Sequence, residues 1–315
     1  MTLTIGVDVG GTKVAAGVVD EDGTVVAETR RDSPADDPAK MRHAIIDAIG
    51  ELTRSHRVEA VGIGAAGWID PTRSTVLFAP NIAWQNEPLR EQVSAATGLP
   101  VVVENDANVA AWAEFRFGAA RDADDSMVMI TVGTGVGGGI VIGGELLRGA
   151  NGIAAEFGHV LAVGGGHRCG CGRLGCVEQY ASGRALARFA REGAKRSPEQ
   201  ARTLLDLAGG DVAAISGRMV TAAAQAGDVV AIEAFAELGH WLGTSLADMA
   251  QILDPQVLVL GGGVIEAGEL LLGPVRRAYS AALARRSRLP VAAIRPAELG
   301  TAAGMIGAAD LARRM

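Results

Sequence analysis

Two widely separated segments of the chain share one layout. "TIGVDVGGTKVAAGVV" (4–19) is an apolar run, a glycine turn and a second apolar run, and "MVMITVGTGVGGGIVIGGEL" (127–146) repeats that order. Each opens a mixed stretch of strands and helices. A strand–turn–strand unit that recurs in this way implies an internally duplicated α/β fold.

After the first unit, "TVVAETRR" (24–31) follows Asp22-Gly23, a hairpin signal. Met41, Ile45, Ile49 and Leu52 recur at helical spacing and predict a helix over 38–55. "VEAVGIGA" (58–65) and "LPVVVEN" (99–105) read as buried strands, with an amphipathic helix near 88–97 between them. "DANVAAWAEFRFG" (106–118) reads as a helix opened by Asp106. Beyond the second unit, helices are expected at 183–194, 218–225, 228–253, near 270–287 and at 301–314, with strands at 256–263 and 291–295. The expected boundary falls near Gly118–Asp125. A small α/β domain then comprises 1–118 with the C-terminal helix (about 300–315), and a large α/β domain comprises 119–299. Leu238, Trp241, Leu242 and Leu246 on the long helix fit either a core or a dimer face.

Composition narrows the function classes. The 315 residues carry a net charge of −7, which argues against a nucleic-acid or membrane-surface protein. Only three of the 29 basic residues are lysines, so pairs such as Arg276–Arg277 and Arg285–Arg286 read as solvated helix faces. The N-terminus lacks a secretory pattern, and no uncharged apolar run is long enough to span a membrane. These features predict a cytoplasmic protein with reduced thiols.

Three glycine clusters follow apolar strands: Gly10-Gly11-Thr12-Lys13, Gly133-Thr134-Gly135 and Gly261-Gly262-Gly263. Turns without side chains let backbone N–H groups converge on an anion. The pattern GxxxxGK[ST] is missing, which excludes a P-loop NTPase, and no GxGxxG lies between a strand and a helix with an acid beyond it, which argues against a dinucleotide fold. Asp8 ends the first strand beside the first turn, where an acid and Thr12 suit a hydrated Mg²⁺ with a β/γ-phosphate. Asn105 and Asp106 stand where a strand gives way to a helix. Capping explains an acid there, and so does a general base that takes a proton from an alcohol.

All three cysteines fall in "HRCGCGRLGCVEQY" (167–180). With His159 upstream, Cys169, Cys171 and Cys176 form a closed Cys₃His set of the kind that holds structural zinc. Cys169 and Cys171 are too close along the chain for a comfortable disulfide, and C-x-C is not the thioredoxin-type C-x-x-C. His167 is a rival fourth ligand. Glu156 and Glu178 flank the ligands and would be held rigidly enough to accept hydrogen bonds from sugar hydroxyls.

"DVGGTK", "TVGTGVGGG" and "LVLGGGV" resemble the phosphate-1, phosphate-2 and adenosine elements of the sugar-kinase, actin and heat-shock chaperone superfamily. "ITVGTGVGGGIVIGGELLRGANGIAAEFGH" and "CGCGRLGCVEQYAS" resemble the signature and cysteine motif of the ROK family (repressors, open reading frames, kinases), nearest its bacterial glucokinases. The resemblance runs from Ile5 to about Leu311. It implies a two-domain ribonuclease H-like (actin/hexokinase-type ATPase) fold with an interdomain cleft. The implied reaction is phosphorylation of glucose by ATP with Mg²⁺, and the implied assembly is a homodimer or homotetramer. Asp106 then resembles the catalytic base. Gly67, Asn81, Asn105, Glu156, His159 and Glu178 resemble sugar contacts, with His159 also among the zinc ligands. Another hexose (N-acetylglucosamine, N-acetylmannosamine or fructose) and a sugar-sensing regulator are the competing expectations. With Asp8 already in the phosphate loop, no recognition helices are expected before it, so DNA binding is not expected.

Overall fold

The computed structural model describes residues 2–284 and 290–315. The pair Arg285–Arg286 and the end of the helix expected near 270–287 lie outside them. In chain order the elements begin with β1 (Thr4–Val9), β2 (Lys13–Val19), β3 (Val25–Asp32), α1 (Pro38–Thr53) and β4 (Val61–Ala65). Then come β5 (Trp68–Ile69), β6 (Val76–Phe78), β7 (Gln85–Glu87), α2 (Leu89–Thr97), β8 (Val101–Asn105) and α3 (Asp106–Arg116). The second repeat gives β9 (Met127–Val132), β10 (Val136–Ile142) and β11 (Glu145–Leu146). The helices α4 (Glu178–Ala181), α5 (Gly183–Arg196), α6 (Arg202–Leu207), α7 (Gly217–Gln225) and α8 (Val229–Leu253) follow. The chain ends with β12 (Val257–Gly261), α9 (Glu269–Ala282), β13 (Ala293–Pro296) and α10 (Ala303–Arg313).

The chain divides into two compact units. One comprises Met1–Met129, Gly138–Ala155 and Ala297–Met315, and the other Ile130–Gly137 and Glu156–Pro296. In the first, a five-stranded sheet has the order β3-β2-β1-β4-β8. β1 pairs antiparallel with β2 and parallel with β4, which pairs parallel with β8. Every residue of β4 is buried, because both faces of the sheet are covered. Met41, Ile45 and Ile49 of α1 join Ile5, Val7 and Ile63 in one buried cluster. Fully burying each such side chain is worth about 1.5–3 kcal/mol. On the other face, α10 lies so close that a Cβ on Gly6 or Gly62 would sit 1.8 Å from a carbonyl oxygen of Met305 or Ala308. Those two glycines are what bring the C-terminal helix down onto β1 and β4.

A small sheet of order β5-β6-β7 was not expected from the sequence. Its strands have two or three residues, too few to show a period-2 pattern. The Asp70 carboxylate holds the connecting turn by accepting from the backbone N–H groups of Ser74 and Thr75 at 2.7 and 2.8 Å.

The second repeat contributes to a sheet of order β11-β10-β9-β12-β13. In the second unit, Asp228 caps the 25-residue α8 by accepting from Ala231 N–H at 3.0 Å. Leu238, Leu242 and Leu246 are fully buried, which makes this stripe core. Gly243 lets α9 approach, since a Cβ there would lie 2.4 Å from the Val275 carbonyl oxygen. Trp241 is half-buried, with its ring 4.8 Å from that of Tyr180. Among the described residues, no single helix is long and apolar enough to cross a membrane; a pair bent by 115°, α7 with α8, passes on length and composition alone.

Candidate functional site

In the first unit the site forms at the C-terminal end of β8, the edge where open α/β sheets present ligand groups. Asn105, not Asp106, caps α3. Its backbone is extended (ψ 142°), and its side-chain oxygen accepts from Asn108 N–H at 3.0 Å. Capping therefore does not account for Asp106, which is the first helical residue. The Asn105 amide donates to Gly67 O and to Asp106 Oδ1, both at 3.0 Å, and Asp106 Oδ1 also accepts from Ala107 N–H at 2.9 Å. Burial pushes the Asp106 carboxyl above its ordinary value, against the pull of these donors. Gly67 has φ 127°, and a Cβ there would lie 2.2 Å from Phe78 O, so only glycine fits this turn.

The first glycine turn closes beside it. Gly10 N–H donates to Lys13 O at 3.0 Å, and Ser33 Oγ donates to Gly10 O at 2.7 Å. A Cβ on Gly11 would approach Asn81 O to 3.4 Å, so the structure brings two of the sequence-predicted loops together. Asp8 is raised to about 6, mainly by burial and then by the charge of Asp106, with Lys13 opposing. The sign follows directly. A carboxyl whose folded pKa exceeds its unfolded one favours the fold when protonated, and that stability is lost as pH rises from about 3.8 through about 6. Asp8→Asn is therefore expected to raise thermal stability at pH 8 by roughly 1–2 kcal/mol without nucleotide, with the gain disappearing near pH 4. Thermal unfolding at the two pH values checks this; a destabilised Asp8→Asn protein at pH 8 would contradict it.

In the second unit the remaining loops gather around the ends of β9 and β12. Gly133 N–H donates to Gly135 O at 3.0 Å, closing the second turn, and Gly183 N–H donates to Gly133 O at 2.8 Å. Gly262 (φ 88°) lies against Val132, where a Cβ would sit 2.5 Å from the carbonyl oxygen. Clusters 133–135 and 261–263 are thus neighbours, although the sequence separates them widely. Glu178 begins α4, and its Oε2 accepts from Val136 N–H at 3.2 Å. That oxygen would lie 2.3 Å from a Cβ on Gly135, so the missing side chain at Gly135 makes room for Glu178.

The ligand atoms of His159, Cys169, Cys171 and Cys176 all lie within 4.8 Å of one another. The Sγ atoms of Cys171 and Cys176 are 3.7 Å apart, as are Cys169 Sγ and His159 Nδ1. Tetrahedral zinc bonded at about 2.3 Å to each sulfur holds neighbouring sulfurs roughly 3.8 Å apart, so the donor set and its spacing fit that ion. Gly172 and Gly175, at φ 91° and 79°, turn the chain between the sulfurs. Burial, with the neighbouring thiols, pushes Cys176 up to about 12; a cation among the sulfurs relieves the charge crowding behind that shift. His167 is not in the group: its Nε2 lies 2.9 Å from Arg188 Nη1. The second ring nitrogen of His159 lies 4.0 Å from Glu156 Oε2.

The sequence reading missed Glu104, Arg73 and Arg148. The carboxylate of Glu104, 1% exposed, is 2.9 Å from Arg73 Nε and 2.7 Å from Arg148 Nε. An acid closing a buried apolar strand was the available signal.

An acid at the end of a sheet strand, beside a glycine turn on a duplicated hairpin, defines the actin and hexokinase class of ATPase folds. Comparison with known proteins carries this further. The ROK family model matches residues 4–315, and the chain belongs to the ROK family. It is 50% identical over 313 residues to a glucokinase of Streptomyces coelicolor, covering 99% of this chain and 98% of that one. It is 35% identical to an N-acetylmannosamine kinase of Yersinia pseudotuberculosis, covering 98% of each. Among solved structures, a ROK family glucokinase from Streptomyces griseus, in complex with glucose and AMPPNP, superimposes with a TM-score of 0.88 at 51% identity, covering 99% of this chain and 100% of that one.

Proposed function

We infer that this chain transfers the γ-phosphoryl group of ATP to the 6-hydroxyl of glucose, with Asp106 as general base. The observation that carries the reading is the Asp106 carboxylate, half-buried at the start of α3 and fixed through Oδ1 by Asn105 and Ala107, while Asn105 does the capping. With Oδ1 so engaged, Oδ2 takes the proton of the glucose 6-hydroxyl as the sugar 6-oxygen attacks phosphorus and ADP leaves. Its raised pKa matches the base better to a proton that is lost only in the transition state. Transfer of this kind is mostly positioning and charge stabilisation. The backbone N–H groups of the turns at 10–13 and 133–135 serve the ATP phosphates, and the turn at 261–263 serves the nucleoside. Asp8 and Thr12 serve the Mg²⁺ that accompanies ATP.

Gly67, Asn81, Asn105, Glu156, His159 and Glu178 are the proposed sugar contacts. Zinc on His159, Cys169, Cys171 and Cys176 supplies rigidity to the loop that carries Glu178, not Lewis acidity at the reacting centre. A cytoplasmic location and a homodimer or homotetramer belong to the same proposal.

Identity at about half of all positions to the Streptomyces glucokinases supports glucose rather than an amino sugar as the substrate of this chain. A sugar panel with MgATP, read as ADP release, tests this. The kcat/KM for glucose is expected to exceed that for N-acetylmannosamine and N-acetylglucosamine by roughly tenfold or more, since a site that leaves a polar group unpaired loses about 1–3 kcal/mol. A ratio below one would assign the site to an amino sugar. Absence of turnover with every sugar would favour a sensor.

A further inference from the structure

The reaction described above uses Asn105 and Asp106 but not the buried residue before them. The Glu104 carboxylate accepts three hydrogen bonds and faces a second arginine. Oε1 accepts from Asn105 N–H at 2.9 Å and from Asn108 Nδ2 at 3.1 Å. Oε2 accepts from Arg73 Nε at 2.9 Å. Arg148 Nε lies 2.7 Å from the same oxygen without the alignment of a hydrogen bond, so its hold is one of charge.

Neither arginine ends at Glu104. The side chain of Arg148 is 12% exposed, and its terminal nitrogens donate to Pro71 O at 2.8 Å and Asp70 O at 2.9 Å, in the turn after β5. Arg73 has φ 55°, uncommon for a residue with a side chain, and its carbonyl accepts from Val103 N–H at 3.0 Å. Backbone and side chain of Arg73 thus both lock onto β8. Asn105, next to Glu104, donates to Gly67 O just before β5. The bonds close a ring: Glu104 to Asn105, Asn105 to Gly67, along the chain to Asp70, through Arg148 back to Glu104. The segment that carries Arg148 is pressed on this turn, with a Cβ on Gly152 only 2.4 Å from Ile69 O. 

We propose that Arg73 and Arg148 are positioning residues for the phosphoryl transfer. By clamping Glu104, they fix the Asn105 amide, the Asp106 carboxylate and the Gly67–Arg73 turn as one rigid piece. A buried ion cluster is weak support for stability, because apolar packing holds a strand end as well without the desolvation cost. What the cluster adds is fixed geometry, at the point where the base and a proposed sugar loop meet. The proposal rests on Asp106 being the base.

Arg148→Met keeps the aliphatic stem and removes the charge and both carbonyl bonds. Arg148→Lys keeps the charge but cannot span the carboxylate and two carbonyls together. The measurements are kcat, KM for glucose, KM for ATP, melting temperature and zinc content, all below the melting range. Arg148→Met is expected to lose about 10²-fold in kcat/KM for glucose, through both kcat and KM, with KM for ATP within about twofold of wild type. Arg148→Lys is expected to recover about tenfold of that loss. If Arg148→Met fails to fold, Arg73→Met takes the same test, because the Arg73 side chain is 31% exposed and its loss is better tolerated. A variant that melts earlier but keeps kcat/KM for glucose within about threefold of wild type would make the clamp purely structural and overturn the proposal. A wild-type protein without sugar kinase activity would overturn the functional reading, and this one with it.

Discussion

Asp106→Ala is expected to lower kcat by about 10²–10⁴-fold, the usual weight of a positioned acid–base group. KM for glucose and zinc content should change little. Because Asn105 caps α3, the substitution leaves the cap in place. Stability at neutral pH should hold or rise, because burial raises the Asp106 pKa and so penalises the charged form. The sign is the same as for Asp8: the stability linked to the protonated carboxyl is lost as pH rises through the folded pKa. Rates measured under saturating glucose and MgATP, with thermal unfolding of the same samples, check both parts. Near-normal turnover in Asp106→Ala would remove it from the chemistry.

The second large effect concerns the metal. Purified protein is expected to hold about one zinc per chain, and Cys171→Ala to lose it, since three remaining donors leave a structural site open. Activity should fall with the metal by about 10–100-fold or more, because the loop that carries Glu178 slackens. Glu178 Oε1 lies 3.8 Å from Cys169 Sγ, so a ligand that moves displaces the carboxylate beside it. Zinc analysis paired with KM for glucose measures this. A metal-free Cys171→Ala protein with full activity would refute zinc as the support for Glu178.

The parts of this molecule that were legible in the sequence are local ones. The repeated hairpins announced themselves by apolar runs around glycine, and the Cys₃His set by four ligand residues within a short span. The start of α3 at Asp106 was legible but its cap was not: Asn and Asp cap almost equally well, and only the extended backbone of Asn105 decides between them. The sheet β5-β6-β7 escaped because strands this short carry no periodicity, and a turn held by the Asp70 side chain sets their register. The clamp on Glu104 escaped for a different reason. Its members are far apart in the chain, and an arginine in a sequence rich in arginine gives no sign of being buried. The neighbouring positions of clusters 133–135 and 261–263 likewise depend on β9 and β12 lying in one sheet.

The most direct test of the central claim is the product itself. Wild-type protein and Asp106→Ala are incubated side by side with glucose and MgATP, and the phosphorus spectrum of each mixture is followed. The wild-type mixture is expected to form glucose 6-phosphate in step with ADP, while the Asp106→Ala mixture forms it at least about a hundredfold more slowly. ADP without a phosphorylated sugar, phosphate on another hydroxyl, or equal rates from the two proteins would contradict the account.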